Sequence, residues 1–145
     1  MDFDAYTGAS GAIPRNDLGR MDDHAKRYYE EIRKRDSDIA AIAKNTGFSP
    51  EEITDIKNHI FQNAYDLGEA EPQRFDPDYD MAVSWQRLVE GKNIQEMDLV
   101  LLRHEKLEQD LMAQGLPYYE AHKQAEALHN YTHYVEQLNQ REGLR

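Results

Sequence analysis

The sequence predicts an all-α fold, an irregular bundle of five or six helices. Apolar residues recur three and four positions apart over most of the chain, which is the spacing of one helix face. Residue types that start and stop helices bracket these stretches, and no stretch alternates apolar and polar residues as a half-buried strand does. With 145 residues and no internal repeat, the chain is expected to form one helical domain over residues 20–145.

Residues 1–19 are expected to be a flexible arm or linker rather than part of the bundle. Glycine and proline interrupt this segment at Gly8, Gly11, Pro14 and Gly19, and it carries few large apolar side chains. The helical pattern starts directly after it. The stripe that defines the first helix consists of Met21, Ala25, Tyr28, Tyr29 and Ile32.

The next two helices are predicted from their boundaries. A short second helix follows Ser37 and ends at Gly47, because glycine readily adopts the left-handed conformation of a helix C-cap. Ser49, Pro50 and Glu52 begin the third helix, with a capping box around a proline at the first helical position. The buried stripe expected for this helix is Ile53, Ile56, Ile60, Ala64 and Leu67.

A loop separates these helices from the second half of the chain. The periodicity disappears between Gly68 and Phe75, and Asp76 and Pro77 are predicted to begin the next helix, which ends at Gly91.

Two further helices complete the predicted bundle. Asn93 and Glu96 are interpreted as a cap pair for a helix that runs to Gly115, and Pro117 as the start of the last helix. The inner face expected for the last helix is Ala121, Ala125, Leu128, Thr132 and Val135.

The composition excludes several kinds of site and partner. The chain has no cysteine, which rules out disulfides, thiolate ligands and cysteine nucleophiles. Its formal net charge of −11 makes nucleic acid and anionic membranes unfavourable partners. No apolar run approaches the roughly 18 residues that span a bilayer, and the first residues lack the basic and apolar parts of a secretory signal. The protein is expected to be cytoplasmic, or exported as part of something larger.

Residues 39–60 have the spacing of a helix-turn-helix hairpin, with Gly47 at the turn. A recognition helix presents basic and amide side chains to phosphates and bases. Here Lys57 and Asn58 are outweighed by acidic residues at the exposed start of the second helix. These are Glu51, Glu52 and Asp55. The pattern therefore favours helix packing over DNA reading, and a DNA-binding regulator is the third hypothesis for function.

The stretch VLLRHEKLEQDLM places polar residues inside an apolar helix face. At about 100° per residue, His104 and Glu108 fall in the middle of this face, and Glu105 lies at its edge. The apolar members of the face are Met97, Val100, Leu101, Leu111 and Met112. A buried carboxylate is unfavourable unless it is paired or binds a metal. The spacing of four residues lets His104 and Glu108 meet on adjacent turns.

The string HEKLE is similar to the zincin motif HExxH, with glutamate in place of the second histidine. In that motif two histidines hold zinc and the glutamate between them is the general base. The comparison makes His104 and Glu108 candidate ligands and Glu105 a candidate base. His122 is the first choice for a further ligand, because a short turn brings its helix alongside, and His59 is the second. A hydrogen-bonded His–Glu pair without metal or chemistry explains the pattern equally well.

Several short stretches occur in an order that resembles a known kind of domain. They are YYEEIRKR, IAKNTGFS, IKNHIF, FDPDYDMAVSWQRL, LLRHEKLE and EAH. Between Tyr28 and Tyr131 they resemble a C-terminal domain of phage head-morphogenesis (minor head) proteins, and similar domains end polymorphic toxins. The resemblance implies an effector-like domain at the end of a larger exported or virion protein, with a cognate immunity protein or other protein as partner. The functional positions that it implies are His59, Asp76, Asp78, Trp85, Arg87, His104, Glu105, Glu108 and His122.

The leading hypothesis is a toxin-like effector domain with a His/Glu site, interpreted as a hydrolase that depends on a divalent metal such as zinc. The catalytic residues in this hypothesis are Glu105, His104 and His59. The metal ligands are His104, Glu108 and His122. The substrate-binding residues are Asp76, Asp78, Trp85 and Arg87. The alternative is a non-enzymatic helical module that binds another protein.

Overall fold

A computed structural model describes residues 13–142 of the chain. In chain order its α-helices are α1 (Leu18–Lys34), α2 (Ser37–Thr46), α3 (Pro50–Lys57), α4 (Tyr79–Glu90), α5 (Glu96–Ala113), α6 (Tyr118–Leu128) and α7 (Tyr131–Arg141). A π-helical turn, Asn58–Gln62, continues α3 directly. In residues 13–142 the β pairing is a single bridge between Tyr65 and Gln73. The all-α prediction is confirmed, with seven helices in this range where five or six were expected.

Helices α4 and α5 lie at the centre of the bundle. They contact each other, α4 also packs against α1 and α2, and α5 packs against α3, α6 and α7. The main core lies on the α4 side, around Trp85, Phe61 and Tyr29. Among the described helices, none combines the length and the apolar character needed to cross a membrane.

The predicted end of α2 and the predicted start of α3 are confirmed. Gly47 ends α2 with a φ of 85°, in the left-handed region that favours glycine. The Ser49 side chain accepts a hydrogen bond from the Glu52 N–H (3.0 Å), and the Glu52 carboxylate accepts one from the Ser49 N–H (3.0 Å). Pro50 takes the first helical position. This capping box satisfies two backbone N–H groups at the start of α3.

The predicted starts of α4 and α5 were wrong. Helix α4 begins after Asp78 rather than at Asp76, because the Asp78 carboxylate accepts the hydrogen bond from the backbone N–H three residues on (3.0 Å). Helix α5 is capped by Gln95 together with Asp98. Asn93, the predicted cap, lies two residues earlier with a φ of 57°. Both regions contain several residues that can cap a helix, and spacing alone did not distinguish them.

The stripe predicted for α3 continues too far. The helix widens into the π-helical turn, which buries His59, Ile60 and Phe61 in succession, and the chain then becomes extended at Asn63. Ala64 is therefore exposed instead of continuing the inner face. The wide turn changes which side chains face the bundle, and it points His59 towards α5.

The last predicted helix is in fact two helices, α6 and α7. The side chain of Asn130 accepts a hydrogen bond from the His133 N–H (2.9 Å) and starts a new helix. The break rotates the inner face, so that Leu128, expected inside, is 71% exposed and Tyr131 is buried. Ala121 and Ala125 of α6 are buried as predicted.

The chain before α1 lies against the bundle from Ile13 onward. Ile13 is buried in a small cluster with residues of α1 and α4. Arg15 donates two hydrogen bonds to the Asp80 carboxylate (2.9 and 3.1 Å). Helix α1 begins at Leu18, within the segment expected to be an arm. Residues 1–12 of that segment lie outside the described residues.

A buried ion pair joins α2 to α3 and α4. Asp38, which is fully buried, accepts hydrogen bonds from Lys57 Nζ (2.9 Å) and from the indole N–H of Trp85 (3.2 Å). Lys57 also donates to the carbonyl oxygen of Arg35 at the end of α1. A buried charge that loses its partner strongly destabilises a fold, so this pair helps to fix the packing of three helices.

The same ion pair bears on the helix-turn-helix hypothesis. Lys57, the lysine that favoured DNA binding, is buried against Asp38. Glu51 and Asp55 on α3 are exposed. The outer surface of the hairpin is therefore acidic where a recognition helix would meet phosphates, which supports the packing interpretation.

Replacing Asp38 with asparagine is expected to lower the free energy of unfolding by about 3–5 kcal/mol, because the Lys57 ammonium stays buried without its counter-charge. Urea unfolding followed by circular dichroism measures the change. Asp36→Asn is the matched control, since Asp36 is exposed and makes no side-chain cap hydrogen bond. An effect of Asp38→Asn no larger than that of the control would contradict the role given to this pair.

Candidate metal centre

Five ionisable side chains meet where α5, α6 and the π-helical turn pack together. Helix α5 supplies His104, Glu105 and Glu108, the π-helical turn supplies His59, and α6 supplies His122. All are buried except His122, which is half-buried. The burial of His104 and Glu108 on one face of α5 agrees with their predicted position.

Glu108 lies at the centre of the group. Its Oε1 atom is 2.6 Å from His59 Nε2, and its Oε2 atom is 2.7 Å from His122 Nδ1 and 3.1 Å from His104 Nε2. Burial alone would disfavour the charged carboxylate. The hydrogen bonds from the three imidazoles outweigh burial and hold the pKa of Glu108 well below its usual range.

The pKa of Glu105, on the same helix, is shifted in the opposite direction from that of Glu108. It is 7% exposed, and its Oε2 atom has no hydrogen-bond partner within residues 13–142, although His59 Nε2 is 3.4 Å away. Burial, the charge of Glu108 and a hydrogen bond with Glu108 raise the pKa of Glu105 well above its usual range. Two neighbouring carboxylates in the interior do not both ionise unless a cation compensates them. The site therefore contains either a proton or a bound cation at this point.

The ring of His104 is oriented by a backbone carbonyl. Its Nδ1 atom is 3.0 Å from the carbonyl oxygen of His129. A carbonyl only accepts hydrogen bonds, so Nδ1 carries a proton, and in the neutral ring the lone pair belongs to Nε2. Nε2 faces Glu108 and lies 3.3 Å from His122 Nδ1. Histidines that bind metals commonly show this arrangement, with the outer N–H fixed by an oxygen.

The outer nitrogens of the other two histidines also lie near oxygen atoms. His59 Nδ1 is 2.7 Å from the hydroxyl of Tyr65, which also accepts a hydrogen bond from Asn63 (3.1 Å). His122 Nε2 is 3.6 Å from Glu126 Oε2. One nitrogen of each ring points into the cluster. The outer nitrogens of His104 and His59 are within hydrogen-bond distance of an oxygen, whereas that of His122 is at ion-pair distance from Glu126. The Tyr65 hydroxyl can donate or accept, so it orients the His59 ring without selecting its tautomer.

The distances in the cluster fit a small divalent metal. Ligands about 2.0–2.1 Å from a tetrahedral zinc ion lie roughly 3.3 Å from one another. The nearest ligand atoms of His104, Glu108 and His122 are 2.7, 3.1 and 3.3 Å apart. The ligand set predicted from the sequence is thus assembled in space, and shifts of a few tenths of an ångström would accommodate an ion. Imidazole and carboxylate are ligands that zinc accepts.

A cavity of about 270 Å³ gives access to this cluster. His104, Glu105 and His122 reach it from one side. Its remaining wall combines apolar side chains of α4, α5 and α7 with two further carboxylates. The apolar members are Met81, Leu101, Tyr131 and Val135, and the carboxylates are those of Asp78 and Glu126. A ligand in this cavity would meet an acidic lining next to the histidines.

Of the four residues expected to bind substrate, Asp78 alone lines this cavity. Asp76 lies in a separate depression beside the aromatic residues at the start of α6. Trp85 is fully buried in the core, and Arg87 is held by two hydrogen bonds to Asp98 (2.8 and 2.7 Å). Neither Trp85 nor Arg87 lines the cavity. Their packing partners give both a place in the core of the bundle.

Sequence reasoning missed two residues of the site. Glu126 follows His122 by four positions on the same helix, and this spacing could have identified it. Tyr65 lies in the loop after the π-helical turn, where no periodic pattern indicated its neighbours. Both contact the outer nitrogen of a histidine rather than the centre of the cluster.

Comparisons of the chain with protein-family models, curated proteins and solved structures found no match.

Replacing Tyr65 with phenylalanine is expected to lower the free energy of unfolding by about 1–3 kcal/mol, because the buried Nδ1 of His59 loses its hydrogen-bond partner. Urea unfolding measures this loss. The control is Tyr119→Phe, since Tyr119 is exposed and its hydroxyl donates to a carbonyl oxygen at the surface (3.1 Å). Equal effects of the two variants would show that the Tyr65 hydroxyl does not orient His59.

Proposed function

We propose that this protein is a metal-dependent hydrolase whose divalent metal is held by His104, Glu108 and His122, with zinc as the first candidate. The observation that carries the proposal is the orientation of the histidines. Their inner nitrogens converge on the Glu108 carboxylate, while the outer nitrogens of His104 and His59 are within hydrogen-bond distance of oxygens. This is the arrangement of ligands and outer partners in histidine metal sites.

A hydrogen-bonded cluster without metal explains the same residues less completely. Because His104 Nδ1 donates to a carbonyl, its Nε2 can donate to Glu108 only when the ring is positively charged. Glu105 also retains a buried oxygen without a hydrogen-bond partner among residues 13–142. A divalent cation would take up the histidine lone pairs and offset the charges of Glu105 and Glu108 together.

The chemistry proposed for the site is hydrolysis. A bound divalent metal polarises a carbonyl or phosphoryl oxygen and lowers the pKa of its bound water to about 7. Glu105 lies next to the proposed ligands on α5 and lines the cavity, so it is placed to accept a proton as general base. Glu126 would orient His122, and Asp78 would contact the substrate.

The acidic surroundings favour one class of substrate. The cavity is lined by Asp78, Glu105 and Glu126, and the whole chain has a net charge of −11. Such a site repels the phosphates of nucleic acid. A peptide or a small molecule is therefore the substrate class that we propose.

The sequence resemblance supports an effector role for this hydrolase. A domain similar to the ends of phage head-morphogenesis proteins and polymorphic toxins would be delivered as part of a larger exported or virion protein. A cognate immunity protein is then the expected partner. Such an effector would inhibit the growth of cells in which it is expressed, and growth inhibition can be assayed before the substrate is identified.

The Glu105→Gln variant is expected to lose growth inhibition, with any measurable hydrolysis falling about 10²–10⁴-fold through loss of the base. The melting temperature of the metal-free variant should be close to that of the metal-free wild type. The raised pKa of Glu105 favours the neutral form of its carboxyl in the metal-free protein, and glutamine has the same volume and is also neutral.

Expression in a bacterial host and thermal melting of the purified variant test this prediction. Glu120→Gln is the matched control, because Glu120 is exposed on α6. Toxicity that survives Glu105→Gln would contradict a base at this position. A wild-type protein that neither inhibits growth nor retains a metal would contradict the hydrolase and favour the non-enzymatic interaction module.

A further inference from the structure

A second set of ligand atoms lies on the other side of Glu108. His59 Nε2 is 2.6 Å from Glu108 Oε1 and 3.4 Å from Glu105 Oε2. The ligand atoms of these three residues lie within 4.8 Å of one another, as do those of His104, Glu108 and His122. All three residues of the second set are buried.

The two carboxylate oxygens of Glu108 contact different groups of ligand atoms. Oε1 faces His59, whereas Oε2 faces His104 and His122. A carboxylate whose oxygens point to separate groups of ligands is suited to bridge two ions. Two-metal hydrolytic sites hold their ions about 3.5–4 Å apart, a separation that one bridging carboxylate spans.

We propose that the protein binds two divalent metals bridged by Glu108, the second of them held by His59 and Glu105. This inference rests on the proposed function and deepens it, because it adds a second ion to the same site and makes Glu105, the proposed base, a ligand of that ion. The ligands of the second position are one imidazole and two carboxylates, which zinc and manganese both accept.

Glu105 provides independent support for the second position. Its Oε2 atom is buried and without a hydrogen-bond partner among residues 13–142. An ion held only by His104, Glu108 and His122 would leave this oxygen unsatisfied. Unsatisfied buried oxygens destabilise a protein, so this oxygen needs either a proton shared with Glu108 or a bound cation, and a cation in the second position would satisfy it.

The ring of His59 is held in the orientation that the second position requires. Its Nδ1 meets the Tyr65 hydroxyl at 2.7 Å, and the edge of the ring packs against Phe75 with ring centres 5.3 Å apart. The π-helical turn presents this fully buried side chain towards α5. Nε2 therefore remains directed at the two carboxylates.

The charges near the cluster also favour a second cation. The carboxylates of Glu105, Glu108, Glu126 and Asp78 all lie at the cluster or on the adjoining cavity. One divalent ion offsets two negative charges, and two ions offset four. Lysine and arginine side chains are absent from the described residues that line the cavity.

The proposal is tested by removing metal from the protein and counting the zinc ions that it then takes up. The chelated wild-type chain is titrated with Zn²⁺ alone by calorimetry, and its metal content is measured after desalting. Two ions per chain are expected. His59→Asn and His122→Asn should each retain one ion, and Glu108→Gln should retain none. His133→Asn is the control, because His133 is exposed on α7, and it should retain two.

A wild-type chain that binds one zinc ion and a wild-type chain that binds none lead to different conclusions. One ion in the wild type, lost in His122→Asn and kept in His59→Asn, would overturn the second position and leave the proposed function intact. No ion in the wild type would overturn both. The Glu105→Gln variant separates two roles of Glu105. If Glu105 is a ligand of the second ion, the variant should bind one zinc ion instead of two. If Glu105 acts only as a base, the variant should still bind two.

A spectroscopic measurement on the wild type makes the test independent of how the variants fold. Two equivalents of Mn²⁺ bound at bridged positions should give the coupled electron paramagnetic resonance spectrum of an ion pair about 3.5–4 Å apart. The spectrum of isolated Mn²⁺ at two equivalents would overturn the bridged pair.

Discussion

The negative charge of Glu108 in the interior of the bundle is the constraint on which the site depends. A carboxylate that is 2% exposed loses nearly all of its hydration and must regain it from protein groups or from a cation. Three imidazoles replace the water, and they come from the π-helical turn, α5 and α6. The packing of these elements is therefore linked to one charge, and any change that displaces His59 or His122 leaves that charge less compensated.

The fold places the histidines by local features of the backbone. The π-helical turn widens the end of α3 and turns His59 inward, and a change of helix at Asn130 lets the His129 carbonyl oxygen accept from His104. Irregular backbone of the π type is frequent at functional sites. Away from the cluster, the ion pair of Asp38 and Lys57 fixes α2 and α3 without contributing to the cavity.

Sequence reasoning identified the features that depend on nearby residues. The spacing of four between His104 and Glu108 placed both on the buried face of α5, and the Ser49 capping box defined the start of α3. It could not identify the π-helical turn or the break before α7, because both depend on which of several equivalent backbone hydrogen bonds forms once the helices pack. Tyr65 was missed because its contact with His59 forms through a loop. Trp85 and Arg87 are the opposite case. The resemblance implied that they are functional positions, whereas their hydrogen bonds to buried carboxylates place them in the core.

We have proposed that the histidines surround Glu108 to hold a metal rather than to neutralise a carboxylate. Anomalous diffraction at the zinc absorption edge, from crystals of the protein loaded with zinc, distinguishes these two roles. We expect a peak about 2.0–2.2 Å from His104 Nε2, His122 Nδ1 and a Glu108 oxygen. Zinc confined to surface residues such as His133, with the imidazoles still hydrogen-bonded directly to Glu108, would contradict the metal-binding role.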